Sequence, residues 1–186
     1  MIKKILLAMT VLVAAFLVVA ALQPATYRVE RSITLSAPPA EIFPQINDLK
    51  KAHVWSPWIK FDPNAKVAFS AVSEGVGASS TWDGNNQIGA GRQTIVESRA
   101  NERVRIRLDF TKPFESTANA EFALRAHGGQ TTVTWSMDGE NSFVCKAVCL
   151  FIDQDEMIGT PFEQGLASLK ALVEARRDAQ TVASVR

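Results

Sequence analysis

RVRIRLDF, residues 103–110, places Val104, Ile106, Leu108 and Phe110 on one side of an extended chain and Arg103, Arg105, Arg107 and Asp109 on the other. Side chains alternate across a strand with period two, so this octet reads as a strand with one apolar and one wet face. The pattern recurs downstream in Phe122 with Leu124, and in Val133 with Trp135 and Met137. Strands are predicted over 66–73, 78–82, 89–98, 103–110, 115–126 and 131–139. The stretches between them, at 74–77, 83–86, 100–102, 111–113 and 127–129, are rich in Gly, Asn, Asp and Pro, which accept the backbone angles of a reversal. Strands joined by short turns run antiparallel.

Upstream, residues 27–36 alternate in the same way, with Val29, Ile33 and Leu35 opposite Arg28, Glu30 and Thr34. Pro38 and Pro39 then stop a strand and start a helix whose apolar face is Ile42, Phe43 and Ile46. Pro44 within it predicts a kink or an early end. A connector, 49–63, carries the sequence WSPW at 55–58. After Gly139 the period changes to that of a helix. Phe143, Val144, Ala147, Val148 and Phe151 form a short apolar helix, and Ile158, Phe162, Leu166, Leu169, Leu172 and Val173 form the stripe of a longer one, with a kink or restart expected at Thr160-Pro161. The long stripe has one place to go, across the apolar face of the sheet. The expected fold is therefore α+β, a curved antiparallel sheet closed by a helix over a cavity. From Arg176 the periodicity is lost, and 177–186 are expected to fray.

The N-terminus differs from all that follows. Ile5 to Leu22 is an apolar run broken only by Thr10, preceded by Lys3 and Lys4. Eighteen residues at about 1.5 Å each span about 27 Å, enough for a bilayer core. An uncleaved membrane anchor over 1–25 is preferred to a cleaved signal, whose apolar region is shorter and whose small-x-small cleavage pattern is missing around Ala20 to Leu22. Lys3 and Lys4 favour a cytoplasmic N-terminus with the domain outside, periplasmic in a bacterium; Arg28 and Arg31 on the far side weaken that bias. The domain, 26–176, is expected to be monomeric. A net charge of +1 without a basic cluster argues against a nucleic-acid partner. Cys145 and Cys149, four apart on a helix, are expected to be buried free thiols.

The segments ERSITLSAPPA (30–40), WSPW (55–58), GVGASSTWDGN (75–85), GAGRQTIVE (89–97), LDFTKPFESTANAEF (108–122), TTVTWSMDGEN (131–141) and FEQGLASLKAL (162–172) resemble the polyketide cyclase/dehydrase-type family of the START-related ligand-binding (SRPBCC) superfamily. The resemblance implies a helix-grip fold, seven antiparallel strands gripping a long C-terminal helix with a tunnel between them. It also implies a choice of functions, because the superfamily holds lipid carriers, hormone-binding proteins and aromatases or cyclases. Two readings follow: a membrane-tethered binder of an apolar small molecule or lipid, and a cyclase- or hydrolase-like enzyme using the same cavity.

Sites of chemistry are sparse. The glycine pairs 75/77 and 89/91 run into strands rather than a helix N-terminus, so they read as turns or bulges and not as phosphate loops. His127 falls in a hairpin turn, and His53 beside Trp55 has no partner at catalytic spacing. No serine or cysteine has the surroundings of a nucleophile, and Asp153, Asp155 and Glu156 lack the spacing of a calcium loop but suit a helix N-terminus. No catalytic residue, metal ligand or cofactor is assigned. Arg103, Arg105 and Arg107 read as a solvated face partnered by Glu97, Glu102 or Asp109, with a lipid-headgroup surface as the alternative. The candidate pocket residues are Trp55, Trp58, Trp82 and Trp135, with Phe110 and Phe114. Indole joins a large apolar area to a single donor, as a wall that must orient a ligand requires.

Overall fold

The computed structural model describes residues 1–184. In chain order the elements are α1 (Ile2–Leu22), β1 (Thr26–Leu35), α2 (Pro39–Asn47), α3 (Leu49–Trp55), α4 (Trp58–Phe61), β2 (Lys66–Phe69), β3 (Ser79–Asp83), β4 (Ala90–Arg99), β5 (Arg103–Lys112), β6 (Ser116–His127), β7 (Gln130–Glu140), α5 (Phe143–Val148) and α6 (Gln154–Ser184). The seven strands form one sheet in the order β1-β7-β6-β5-β4-β3-β2. Strands β2 to β7 follow one another as hairpins, and β1 joins the far edge by pairing antiparallel with β7 from Thr26↔Glu140 to Leu35↔Thr131. Register shifts between Ala90 and Gly91 and between Ile95 and Glu97 interrupt the β4–β5 ladder. Extra residues of this kind bend a strand and raise its twist. The result is the helix-grip α+β fold, a curved seven-stranded sheet with the long α6 against it.

Register turns the sequence alternation into rows. Val29, Met137, Ala120, Ile106 and Ile95 are successive cross-strand partners and all are buried. On the opposite face Glu121 lies 3.3 Å from Arg105 and Glu97 lies 2.7 Å from Arg99, while Arg107 pairs with Asp109 at 2.9 Å. The arginines of RVRIRLDF are thus partnered on a solvated face. Exposed ion pairs contribute little to stability, so this face keeps the sheet wet rather than holding it together.

The inner face is closed by α6, whose Ile158, Phe162, Leu166, Leu169 and Val173 are buried at helical spacing. The helix starts earlier than Thr160-Pro161, and Pro161 lies inside it. Asp153 explains the start: its Oδ1 accepts from the amides of Asp155 (2.9 Å) and Glu156 (3.2 Å), capping the first turn. At the other end α6 continues to Ser184, past the loss of apolar period at Arg176. Arg177 and Ala179 in this stretch are strong helix formers. The last two positions of the expected tail, Val185 and Arg186, lie outside the described residues.

Pro44 also sits within a helix, α2, which ends three residues later at Asn47. Asp48 then leaves the helical region, and its side chain accepts from the Lys50 amide (2.9 Å) to begin α3. The expected connector therefore holds two short helices. Strand β2 is shorter than its predicted span, ending at Phe69. Cys145 and Cys149 are free but only half-buried, because α5 lies outside the core instead of beneath the sheet.

The apolar core draws on α2, α3, the sheet and α6 and takes no residue from α1. Helix α1 is long and apolar enough to cross a membrane, and Ala20 is its one buried residue. Only residues 23–25 separate it from β1. They are tied down, since the Asn141 amide donates to Ala25 O (2.8 Å) and Asn141 Nδ2 to Pro24 O (3.3 Å).

Candidate functional site

Between α6 and the inner sheet face stands a cluster of aromatic rings. Trp135 of β7 stacks on Phe162 of α6 with centroids 4.0 Å apart and planes 9° apart, and lies 4.7 Å from Phe122 of β6, its cross-strand partner. Trp55, the last residue of α3, meets both Phe122 and Trp135 edge-on at 5.9 Å. Its Nε1 donates to Gln45 O (2.9 Å), tying α3 to α2. The WSPW segment thereby divides. Trp55 and Pro57 face inward, with Pro57 against Gly165 of α6. Trp58 turns outward onto Phe61, 5.8 Å away.

Trp135 is 6% exposed, and its Nε1 is buried without a hydrogen-bond partner. A buried donor left unpaired costs about 1–3 kcal/mol. Such a group is rare in a folded protein and calls for an explanation.

A second aromatic pair occupies the same inner face further along the strands. Trp82, Gly91 and Phe110 are cross-strand partners, and the Trp82 and Phe110 rings meet edge-on at 5.6 Å. Trp82 Nε1 donates to Ile88 O (3.0 Å), and the absence of a side chain at Gly91 gives the indole its seat. A hollow of about 490 Å³ opens at this end of β3–β5, touching Trp82 and Gly91 but not Phe110, and its Thr81, Arg92 and Asp109 belong to the solvated face. From the Val104 row to the Phe110 row is six residues, about 20 Å along the strand. The inner face between them is lined on β6 by the small side chains of Ala118 and Ala120. Phe114 lies outside this arrangement and is exposed. The six candidates are therefore two pairs, Trp55 with Trp135 and Trp82 with Phe110, and two separate residues.

Arg31 brings charge to the inner face. Arg31 has the parity of Val29 and Ile33 and is the cross-strand partner of Trp135. Its guanidinium is 2.7 Å from Glu163 and 2.7 Å from Asp155, both on α6, and lies over Gly159, where a side chain would displace it. The Arg31 hydrogen bond holds the Asp155 carboxyl below the ordinary carboxylate range. Sequence reading grouped Arg31 with the membrane-flanking charges and missed this role; its parity with Val29 was the available signal.

His53 meets Phe69 edge-on at 5.7 Å and burial lowers its pKa, and His127 Nε2 lies 3.4 Å from Thr132 Oγ1 in its turn. Among the described residues no group of three His, Cys, Asp or Glu side chains could hold a metal ion. A second hollow, about 560 Å³, lies where α1 ends, bounded by Tyr27, Lys146, Cys149, Phe151 and Gln154. Burial, with the neighbouring charges of Cys145 and Asp138, pushes the Tyr27 hydroxyl up to about 12.

The family profile described as polyketide cyclase / dehydrase and lipid transport matches residues 26–174, which include all seven strands and the inner stripe of α6. The chain belongs to this family. Members of it have a ligand-binding fold, in keeping with the concave sheet and its aromatic lining. Solved structures agree on the fold. Protein CV1439 from Chromobacterium violaceum is 20% identical with a TM-score of 0.57, covering 82% of this chain and 99% of its own. Mll3558 from Rhizobium loti is 15% identical with a TM-score of 0.59, covering 78% and 96%. The Aha1 protein of Colwellia psychrerythraea, solved as a dimer, is 17% identical with a TM-score of 0.55, covering 80% and 96%. No curated protein matches the sequence.

Proposed function

We propose that the domain binds an apolar small molecule or lipid carrying one accepting oxygen, held between the inner sheet face and α6. In this reading Trp135 Nε1 donates to that oxygen. The unpaired buried indole N–H carries the proposal, since a ligand acceptor there would remove the cost of leaving it unmade. Trp55 and Trp135 would bound one end of the site, and Trp82 with Phe110 the other, over the low floor of Ala118 and Ala120. Trp58 and Phe114 have no part in it.

The reading includes a tether. Helix α1 stands outside the core and has the length and apolarity of a membrane span, and lipophilic ligands concentrate in membranes. Lys3 and Lys4 would keep the N-terminus on the cytoplasmic side and the domain on the other.

A matched pair of probes tests the site: fluorenone and fluorene have the same ring skeleton, and only the first carries a carbonyl. Titration into wild type and Trp135→Phe, followed by calorimetry, is expected to show fluorenone weakened about tenfold and fluorene nearly unchanged, the loss of one hydrogen bond at about 1–1.5 kcal/mol. Equal changes for both probes would remove Trp135 Nε1 as the orienting donor.

A further inference from the structure

The segment 142–152, SFVCKAVCLFI, contains one charge in eleven residues and yet stays out of the core. Phe143, Val144, Val148, Phe151 and Ile152 are all exposed, Phe151 at 79%. Elsewhere in the domain the exposed large apolar residues, such as Val72, Val76 and Phe114, are scattered singly. Single residues of that kind are ordinary on a protein surface, whereas five within ten residues form a patch that marks a binding surface.

Its position shows what covers it. Phe151 stacks on Phe16 of α1, with ring centroids 6.2 Å apart and planes 26° apart, so the patch is continuous with the apolar surface of the span. Phe16 is six residues before the end of α1 at Leu22, about 9 Å down its axis. Interfacial segments seat their apolar faces about 5–10 Å into the boundary between headgroups and acyl chains. Where α1 crosses a bilayer, Phe151 therefore lies at acyl depth beside it. The charges fit that placement. Lys146, the one cation, is half-buried beside the hollow at the end of α1, and its long stem can carry the ammonium toward the headgroups. Carboxylates flank the segment without entering it, with Glu140 before and Asp153, Asp155 and Glu156 after.

We infer that residues 143–152 are a second membrane contact, a short wedge that inserts into the bilayer interface next to α1 and holds the domain against the lipid surface. This inference rests on the tether proposed above. The occupant is phospholipid, and a second copy of the chain is the alternative that the test distinguishes.

Full-length protein in a Cys145→Ser, Cys149→Ser background, reconstituted into phosphatidylcholine/phosphatidylglycerol vesicles, carries a polarity-sensitive fluorophore at one introduced cysteine. The positions are Leu12→Cys, Val148→Cys, Phe151→Cys and Val76→Cys, each measured with lipids spin-labelled at a shallow or at a deep acyl position and without spin label. The expected result is lipid quenching at 12, 148 and 151 and none at 76. Quenching at 12 without quenching at 148 and 151 would overturn the wedge and leave the tether intact. Lack of quenching at 12 would overturn the tether and the wedge with it. A blue-shifted but unquenched label at 151, sensitive to protein density in the vesicle, would assign the patch to a second copy and overturn the lipid contact. A charged variant, Phe151→Glu with Val148→Glu, gives an independent reading: hydrogen exchange in vesicles is expected to rise across 142–152 relative to wild type, and no change would count against insertion.

Discussion

Replacing Gly165 by alanine tests whether α6 is seated on the aromatic cluster as closely as described. A methyl group there would stand 2.8 Å from Trp135 Cζ3 and 2.9 Å from Pro57 Cδ. Neither neighbour can yield easily. Pro57 is a fully buried ring, and Trp135 is held by Phe162 at 4.0 Å and Phe122 at 4.7 Å. Two effects compete. Alanine in a helix interior is better than glycine by about 0.8–1.0 kcal/mol. Overpacking a filled site costs about 1–3 kcal/mol. The clash wins, with a net loss on the order of 1 kcal/mol, or about 2–4 °C in Tm for a chain of this size. Gly159→Ala is the control on the same helix. There the added methyl meets the Arg31 side chain, which can swing toward solvent, so the helix-propensity gain offsets the loss and the midpoint stays near wild type. Urea titration followed by tryptophan fluorescence suits the measurement, since all four tryptophans lie outside α1. Adding Trp135→Phe should recover part of the Gly165→Ala loss, as coupled neighbours do. A Gly165→Ala protein more stable than wild type would refute the close seating of α6.

Trp135→Ala is expected to cost about 3–5 kcal/mol, as for other buried aromatics, and Trp82→Ala less, because Trp82 is only partly buried; melting curves of the two compare them directly. Deletion of residues 1–25 should leave a cooperatively folding domain, since the core takes nothing from α1, and a urea midpoint far below that of the full chain would contradict this. The Asp155 carboxyl, held below its ordinary range by Arg31, contributes stability that is complete above about pH 4, the unfolded value, and is lost as pH falls through the lower folded value. Wild type should therefore exceed Asp155→Asn in stability at pH 6 and converge with it near pH 2, read from urea midpoints across that range.

The sheet was legible because its rule is local. RVRIRLDF and its neighbours carry a period of two that fixes which side chains share a face, and the hairpin turns fix the order of strands. The stripe of α6 was equally plain. Less visible was an event decided by a single capping side chain at Asp48, where one carboxylate starts a helix inside what composition reads as a connector, whereas the acidic start of α6 at Asp153 was readable. The site was readable in part. Tryptophan stood out by type, but which indoles meet depends on register, which pairs Trp135 with Phe122 and leaves Trp58 on the outside. Arg31 was hidden by its charge, which suggested solvent when its strand parity pointed to α6.

The connection between α1 and β1 sets how far the domain can travel. Residues 23–25 could reach about 10 Å if fully extended, and the carbonyls of Pro24 and Ala25 are already engaged by Asn141. If α1 holds the domain in a bilayer as proposed, so short a lead would not let it shuttle cargo from one bilayer to another. On the proposed tether, a ligand held beneath α6 would have to come from, and return to, its own leaflet or be handed to a partner that comes to it, and the domain would be a fixed docking station rather than a ferry.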